Sequence, residues 1–270
     1  MALSRESYKM ELNIKTLADY SSQGDSPDIL FWVGCAGSLD ERAQKITKAV
    51  AKILNHCGVK FAVLGTEESC SGDPAKRAGN EFLFQMQAMT NIQVMNGYGV
   101  KKIVAACPHC FNTLKNEYPE LGGNYEVLHH TQLLQQLIDE GKLKVAGGKF
   151  TGKKITFHDP CYLGRGNNVY EAPRAVIEKL DAGLSEMKRS RANGFCCGAG
   201  GAQMFKEPEK GNKDVNIERT EEALALNPDV IAVGCPFCMT MMTDGVKHFN
   251  KEQQVKVLDV AELIANANDL

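Results

Sequence analysis

The stretch Gly194-Phe195-Cys196-Cys197-Gly198-Ala199-Gly200-Gly201 organises this chain, because it puts two adjacent cysteines among four glycines. Adjacent side chains point apart on a strand and diverge by about 100° on a helix. Both thiols can therefore serve one centre only if the backbone curls around it. Glycine permits that path because it tolerates positive φ and close backbone approach. We interpret the stretch as the wall of a metal-cluster pocket.

The composition is that of an ordinary globular protein. The 270 residues, 43% apolar and 24% charged, suffice for one large domain or two of ordinary size. A net charge of −2 gives no reason to expect nucleic acid or an anionic membrane surface as a partner. There is no run of about 18 apolar residues, so we predict no membrane span in this chain.

Ten cysteines are many for a chain without a secretory signal. An even number can indicate disulfides in a secreted protein. The segment from Met1 to Met10, however, is polar and mixed in charge, unlike a signal peptide. Cys-x-x-Cys pairs that follow apolar strands favour metal binding in a reducing compartment. We therefore expect a cytoplasmic protein.

The chain repeats one pattern of strands, helices and cysteines. Each half has two cysteines 35 residues apart, followed 37 or 39 residues later by Cys-Pro-x-Cys. The cysteines of the first half are Cys35, Cys70, Cys107 and Cys110. Those of the second half are Cys161, Cys196, Cys197, Cys235 and Cys238. In this alignment Ser71 stands where the second half has Cys197.

Strands that alternate with helices predict an α/β fold, with two pseudo-symmetric Rossmann-like halves and mainly parallel sheets. Glycines and lysines between residues 141 and 153 indicate a hinge. We predict an N-terminal extension (1–28), a first cysteine-rich domain (29–147) and a second one (148–270). Ligands of parallel sheets collect beyond the carboxyl ends of the strands. Each cysteine group follows a predicted strand, so we expect each set of loops to converge on one pocket.

Thiolates are soft ligands that suit iron–sulfur clusters and zinc. Tetrahedral zinc takes four ligands, so five cysteines in the second half favour an iron–sulfur site. The glycine-rich wall also fits, since N–H donors to sulfur tune the potential of a cluster. The four cysteines of the first half suit a metal site of either kind. Cys57, near the end of a predicted helix, is expected to pack in the core.

The pattern Cys-x34-Cys-Cys-Gly followed by Cys-Pro-x-Cys resembles a known family. It is similar to the duplicated cysteine-rich domain of heterodisulfide reductase and its relatives. Those include the iron–sulfur subunits of glycolate and lactate oxidases and of electron-transfer-flavoprotein:quinone oxidoreductases. His158-Asp159-Pro160-Cys161-Tyr162-Leu163-Gly164-Arg165 and Phe195-Cys196-Cys197-Gly198 match closely. The resemblance covers roughly residues 29–260.

The resemblance implies a non-cubane [4Fe–4S] cluster in a complete five-cysteine site. Carried over by position, its ligands are Cys161, Cys196, Cys197, Cys235 and Cys238. Ser71 breaks the pattern in the first half, which leaves a second [4Fe–4S] cluster, a zinc ion or no metal there. The implied function is an iron–sulfur electron-transfer subunit of an oxidoreductase complex. A disulfide reductase subunit and a zinc-stabilised scaffold without redox activity are the alternatives.

The resemblance also implies partners. One is an oxidoreductase subunit with flavin or ferredoxin-type clusters, and another is a membrane-anchored, quinone-linked subunit. The latter would hold this chain at the inner face of the membrane.

Three side chains near the cysteines have two interpretations each. His158, three residues before Cys161, either donates a hydrogen bond to the cluster or moves protons, or it caps a neighbouring loop. Arg165 either stabilises anionic charge at the site or forms a surface salt bridge. His109, which stands where the second half has Phe237, either lines the site or binds metal. A fourth feature, the methionines after Cys238, is either core or a soft docking surface.

Overall fold

A computed structural model describes Leu12, residues 14–207 and residues 210–270. Within these residues each half forms one parallel sheet flanked by helices, which confirms the predicted α/β class. The first sheet has the strand order β1-β3-β2-β4-β5 and the second β7-β6-β8-β9. The strands of the first sheet are β1 (Lys15–Thr16), β2 (Ile29–Trp32), β3 (Phe61–Val63), β4 (Lys102–Ala105) and β5 (Glu126–His129). Those of the second are β6 (Lys154–Phe157), β7 (Gly183–Leu184), β8 (Val230–Val233) and β9 (Lys256–Asp259).

The α-helices connect these strands and cover the sheets. The first half contains α1 (Leu17–Ser22), α2 (Gly34–Leu39), α3 (Glu41–His56), α4 (Asp73–Arg77), α5 (Glu81–Gly97), α6 (Pro108–Asn112) and α7 (His130–Asp139). The second half contains α8 (Glu171–Glu178), α9 (Val215–Leu224), α10 (Pro236–His248) and α11 (Val260–Ala267).

The two sheets have the same topology apart from the edge strand β1. β2, β3, β4 and β5 occupy the positions of β6, β7, β8 and β9, and all pairings are parallel. In each half the chain first adds a strand on one side of the first strand and then continues on the other side. This reversal creates a crevice at the carboxyl ends of β2 and β4, and of β6 and β8. Cys35 and Cys107 follow the first pair, and Cys161 and Cys235 follow the second.

The central strands are buried because their sequences are apolar on both faces. All four residues of β2 and of β8 are buried. The long helix α3 is amphipathic, and its Asp40 cap accepts a hydrogen bond from the Ala43 N–H at 2.7 Å. The predicted apolar face of α3, which includes Ile46, Val50 and Ile53, lies in the core.

The halves pack against each other in a pseudo-two-fold manner. α3 packs on α11, and α7 packs on α8, so the first and last helices of one half meet the last and first of the other. Arg42 on α3 donates two hydrogen bonds to the Glu262 carboxylate, at 2.7 and 2.8 Å. The buried His130 ring lies 2.9 Å from an Asp259 oxygen. These contacts hold the two cysteine-bearing crevices in a fixed relation.

Some predicted elements differ from the structure. The helix predicted at about 77–96 is two helices, α4 and α5, because Gly79 takes a φ of 85° and Asn80 caps α5. Phe82, Met86 and Met89 on α5 are exposed, so the prediction that Met86 and Met89 fill the core is wrong. Residues 15–16 of the predicted extension form an edge strand of the first sheet. Residues 141–153 contain no helix or strand, and the domain boundary there stays a prediction.

Candidate metal-cluster site

The structure brings the five cysteines of the second half together. The Cys197 and Cys238 sulfurs lie 3.3 Å apart. Cys161 hydrogen-bonds to Cys196, and Cys196 to Cys197. Cys235 hydrogen-bonds to Cys238. Thiols from four separate segments of the sequence thus form one continuous group at the carboxyl ends of β6 and β8.

The first half repeats this arrangement with one oxygen in place of a sulfur. The Cys35 and Cys70 sulfurs lie 4.0 Å apart. Cys107 hydrogen-bonds to Cys110. The Ser71 hydroxyl donates to the Cys110 sulfur at 3.5 Å, the same contact that Cys197 makes with Cys238. Ser71 therefore occupies the place of the fifth thiol.

The two thiol groups meet at the seam between the halves. Cys107 of the first half hydrogen-bonds to Cys235 of the second, and both are buried. Cys35 and Cys70, like Cys161 and Cys196, are half-buried. Each site therefore has a more open side formed by its first two cysteine positions and a closed side at the seam.

The loop that carries the adjacent ligands curls as the glycines predict. Gly72 and Gly198 take φ values of 90° and 92°, which an L side chain rarely adopts. The Gly198 N–H donates to the Cys196 sulfur at 3.2 Å, and the Gly72 N–H donates to Cys70. Both loops thus bend the backbone so that an amide points at the sulfur two residues earlier.

Hydrogen bonds among the thiols decide which sulfurs carry charge. Bonds from Cys161 and Cys197 hold the pKa of Cys196 far below its usual range. A bond from Cys35 lowers the pKa of Cys70 to about 7. Burial opposes ionisation of Cys235, but bonds from Cys107 and Cys238 lower its pKa to about 6. Thiolates, the metal-binding form, are therefore favoured in both groups.

The donor set and its spacing fit a metal centre. Two thiolates on one tetrahedral ion, with metal–sulfur bonds of about 2.3 Å, lie ~3.8 Å apart. The sulfur separations of 3.3 Å for Cys197 and Cys238 and 4.0 Å for Cys35 and Cys70 bracket this value. Sulfur ligands with amide donors behind them suit an iron–sulfur cluster or zinc.

His158 lies beside the second thiol group. Its side chain is 1% exposed, and one ring nitrogen lies within 4.8 Å of the Cys197 and Cys238 sulfurs. The Arg219 Nε–H donates to His158 Nδ1 at 3.0 Å. Burial and the Arg219 charge lower the pKa of His158 to about 3, so the ring is neutral. The position allows the predicted hydrogen bond to a cluster.

Arg165 and His109 have positioning contacts. Arg165 is exposed and donates to the Gly194 carbonyl, at the start of the loop that carries Cys196. The His109 ring pairs with Asp73 at 2.9 Å, and its centroid lies 4.3 Å from that of Tyr162. His109 therefore lines the seam between the two thiol groups.

The methionines after Cys238 belong mainly to the core. Met239 and Met242 are 0% exposed, so the predicted docking surface is wrong for these two side chains. Met241 is half-buried and borders a cavity of about 450 Å³ next to Gly198. Met204 and Val215 line the same cavity. It gives a small molecule room beside the second thiol group.

Three functional candidates were missed from the sequence. Glu68 accepts hydrogen bonds from the Val33 and Gly34 amides, and its burial raises its pKa to about 7. Trp32 is buried next to the first thiol group, and its position three residues before Cys35 repeats that of His158. Arg219 lies within α9, where no motif marks it.

Comparisons with known proteins agree with this geometry. The CCG cysteine-rich domain matches residues 29–115 and again residues 155–243. The chain is 49% identical over 267 residues to the probable iron-sulfur-binding oxidoreductase FadF of Bacillus subtilis, covering 97% of this chain and 37% of that protein. It is 46% identical over 250 residues to the EtfAB:quinone oxidoreductase of Syntrophomonas wolfei, covering 90% and 35%.

A more distant relative belongs to the dihydromethanophenazine:CoB–CoM heterodisulfide reductase of Methanosarcina barkeri. This component of the reductase is 35% identical over 250 residues, covering 90% of this chain and 59% of the relative. The chain spans little more than a third of the length of the two bacterial relatives. None of the helices that the structure describes is long and apolar enough to cross a bilayer.

Proposed function

Since this chain belongs to the CCG cysteine-rich domain family, we propose that its second half holds a [4Fe–4S] cluster of the non-cubane type. The ligands are Cys161, Cys196, Cys197, Cys235 and Cys238. The observation that carries this proposal is the convergence of all five thiols on one continuous group. When bound, the cluster supplies one-electron chemistry, and the chain supplies ligands, amide donors and burial.

The first half holds a second centre on Cys35, Cys70, Cys107 and Cys110, either a [4Fe–4S] cluster or zinc. The contact between Cys107 and Cys235 supports a role in electron transfer if iron is bound there. A ligand of one centre then touches a ligand of the other, and the electron path across the seam is short. The half-buried cysteines of each site mark where partner proteins exchange electrons with it.

The partners in this proposal are other parts of an oxidoreductase. The names of the bacterial relatives support a flavoprotein-linked donor and a quinone-linked acceptor. Ferredoxin-type clusters supply the connection between them. Attachment to a membrane, in this proposal, comes from a membrane-anchored partner or domain.

Disulfide reduction is the second candidate. The cavity beside Gly198 favours it, because a substrate there adjoins the five-thiol group. Such a substrate would accept two electrons and two protons and leave as two thiols. A thiol-dependent change in the cluster spectrum would support this role, whereas a pure relay would show no change.

Anaerobic purification tests the proposal. Iron, zinc and acid-labile sulfide are quantified, and the reduced and oxidised protein is examined by low-temperature paramagnetic resonance. We expect iron and sulfide in equal amounts, sufficient for at least one [4Fe–4S] cluster per chain. Zinc without labile sulfide would instead show a zinc-stabilised scaffold and would refute the electron-transfer role.

A further inference from the structure

Two buried N–H groups occupy equivalent positions in the two halves. Trp32 ends β2 three residues before Cys35, and His158 follows β6 three residues before Cys161. Both side chains are 1% exposed. Trp32 Nε1 and His158 Nε2 have no hydrogen-bond partner among the described residues. An indole and an imidazole thus leave the same kind of donor unused at the same place in the fold.

Arg219 fixes the tautomer of His158. Its Nε–H donates to His158 Nδ1, and a guanidinium cannot accept a hydrogen bond. Nδ1 therefore carries the lone pair, and the proton of the neutral ring is on Nε2. Arg219 is itself held by the Glu222 carboxylate at 2.9 Å and the Arg189 carbonyl at 2.8 Å. The unpartnered Nε2 is thus a donor in a fixed ring.

Both side chains lie against the thiols of their own half. A ring nitrogen of His158 is within 4.8 Å of the Cys197 and Cys238 sulfurs. Trp32 Nε1 and the Cys110 sulfur both border Gly34: a methyl group there would lie 3.8 Å from the first and 3.3 Å from the second. The glycine leaves the space between indole and sulfur open.

An unpaired buried donor costs about 1–3 kcal/mol, so two of them in equivalent positions need a common explanation. Sulfur in a metal centre accepts hydrogen bonds from N–H groups, and such bonds raise the potential of the centre. A reduced centre carries more negative charge and gains more from the donor than an oxidised one.

We propose that Trp32 Nε1–H and His158 Nε2–H each donate a hydrogen bond to sulfur in the metal centre of their own half, with Arg219 holding the His158 proton on Nε2. The inference rests on the proposed centres, because the acceptor is their sulfide or thiolate sulfur. Trp32, His158 and Arg219 are positioning and tuning residues in this scheme. None of them binds the metal.

The first half offers a single-label experiment, because Trp32 is the only tryptophan in the sequence. The full chain is made with ¹⁵N-indole tryptophan and loaded anaerobically with iron and sulfide, or with zinc. Quenched Trp32 fluorescence and bound iron, or stoichiometric zinc, show that the first site is filled. A paramagnetic centre should then show hyperfine coupling to ¹⁵N and to an exchangeable proton, and a zinc centre should shift the indole proton resonance.

The outcomes separate the inference from the proposed function. A site without metal, with fluorescence unchanged, would refute the first-half centre and with it the role of Trp32. A filled site with no ¹⁵N coupling and no shift of the indole proton would overturn the hydrogen bond and leave the centre in place. Trp32→Phe should abolish the signal, and Phe61→Leu, a buried packing change in the same sheet, should retain it.

The second half is tested by the midpoint potential of its cluster. His158→Met removes the N–H, and His158→Gln keeps one. We expect His158→Met to lower the equilibrium constant for reduction by up to tenfold, which is about 59 mV for one electron. His158→Gln should lie closer to the parent protein, and Arg219→Met should give a smaller fall. Equal potentials in all four proteins, with full iron content, would contradict the proposal.

Discussion

The two halves share one strand order and one cysteine spacing, yet they differ at a single ligand position. In the second half Cys197 contacts Cys238, and in the first half Ser71 makes the same contact with Cys110. The backbone around both is the same, because Gly72 and Gly198 take matching φ values. The fold of the loop is therefore independent of the fifth thiol, and the difference between the halves is chemical.

The largest effect is expected from making the second half resemble the first. Cys197→Ser keeps the side-chain shape but removes the fifth sulfur of the proposed cluster. We expect loss of the non-cubane resonance signal and a fall in iron and sulfide content. Cys57→Ser is the matched control, because Cys57 is half-buried outside both thiol groups. An unchanged cluster signal in Cys197→Ser would contradict the ligand assignment.

The reverse exchange sharpens the comparison. Ser71→Cys places a thiol against Cys110, where the second half has its own close pair. We expect the first half to gain a resonance signal of the same type as the second after anaerobic loading. The chain that combines Ser71→Cys with Cys197→Ser should carry this signal in the first half alone. If neither variant alters the spectrum, position 71 has no part in metal binding.

The halves also anchor their first cysteine loop differently. Asp159 forms a buried two-bonded pair with Arg174, at 2.8 and 2.9 Å, whereas the equivalent Val33 gives only its amide to Glu68. Arg174→Met leaves the Asp159 charge buried and unpaired, so we expect a loss of about 3–5 kcal/mol in the free energy of unfolding. Anaerobic denaturant titration measures it. Lys149→Met, which breaks an exposed pair with Asp269, should cost about 1 kcal/mol or less.

The smallest effect concerns the glycine turns. At Gly72 a methyl group would lie 2.7 Å from the Phe84 ring, in addition to the strain of positive φ. Gly99 has a φ of 68° and open space around it, so it separates strain from collision. We expect Gly99→Ala to cost about 1 kcal/mol in unfolding free energy and Gly72→Ala about 2–3 kcal/mol. Equal losses would show that the Phe84 contact relaxes without cost.

Much of this comparison follows from sequence. The 35-residue step predicts the duplication, and cysteines after apolar runs predict convergence at strand ends. The glycine content of 194–201 predicts the curled loop. The contact between Cys107 and Cys235 could not be predicted, because it depends on how the halves pack. Arg219 was invisible for the same reason: it reaches His158 from a helix 61 residues away in sequence.

The exposed face of α5 also escaped prediction. Phe82, Met86 and Met89 have the spacing of a buried helix face, but the helix packs through Phe84, Ala88 and Met95 instead. Periodicity identifies an amphipathic helix and cannot tell which of two apolar faces meets the core. The position of Trp32 was different in kind, since its equivalence to His158 is plain from the alignment of the halves.

The most direct test of the central claim isolates the second site. All four first-half cysteines are changed to serine, folding is checked by circular dichroism, and iron and labile sulfide are counted after anaerobic loading. The account predicts one [4Fe–4S] cluster per chain with the parent resonance signal of the second half. A folded protein that binds no iron, or that binds zinc without sulfide, would contradict it.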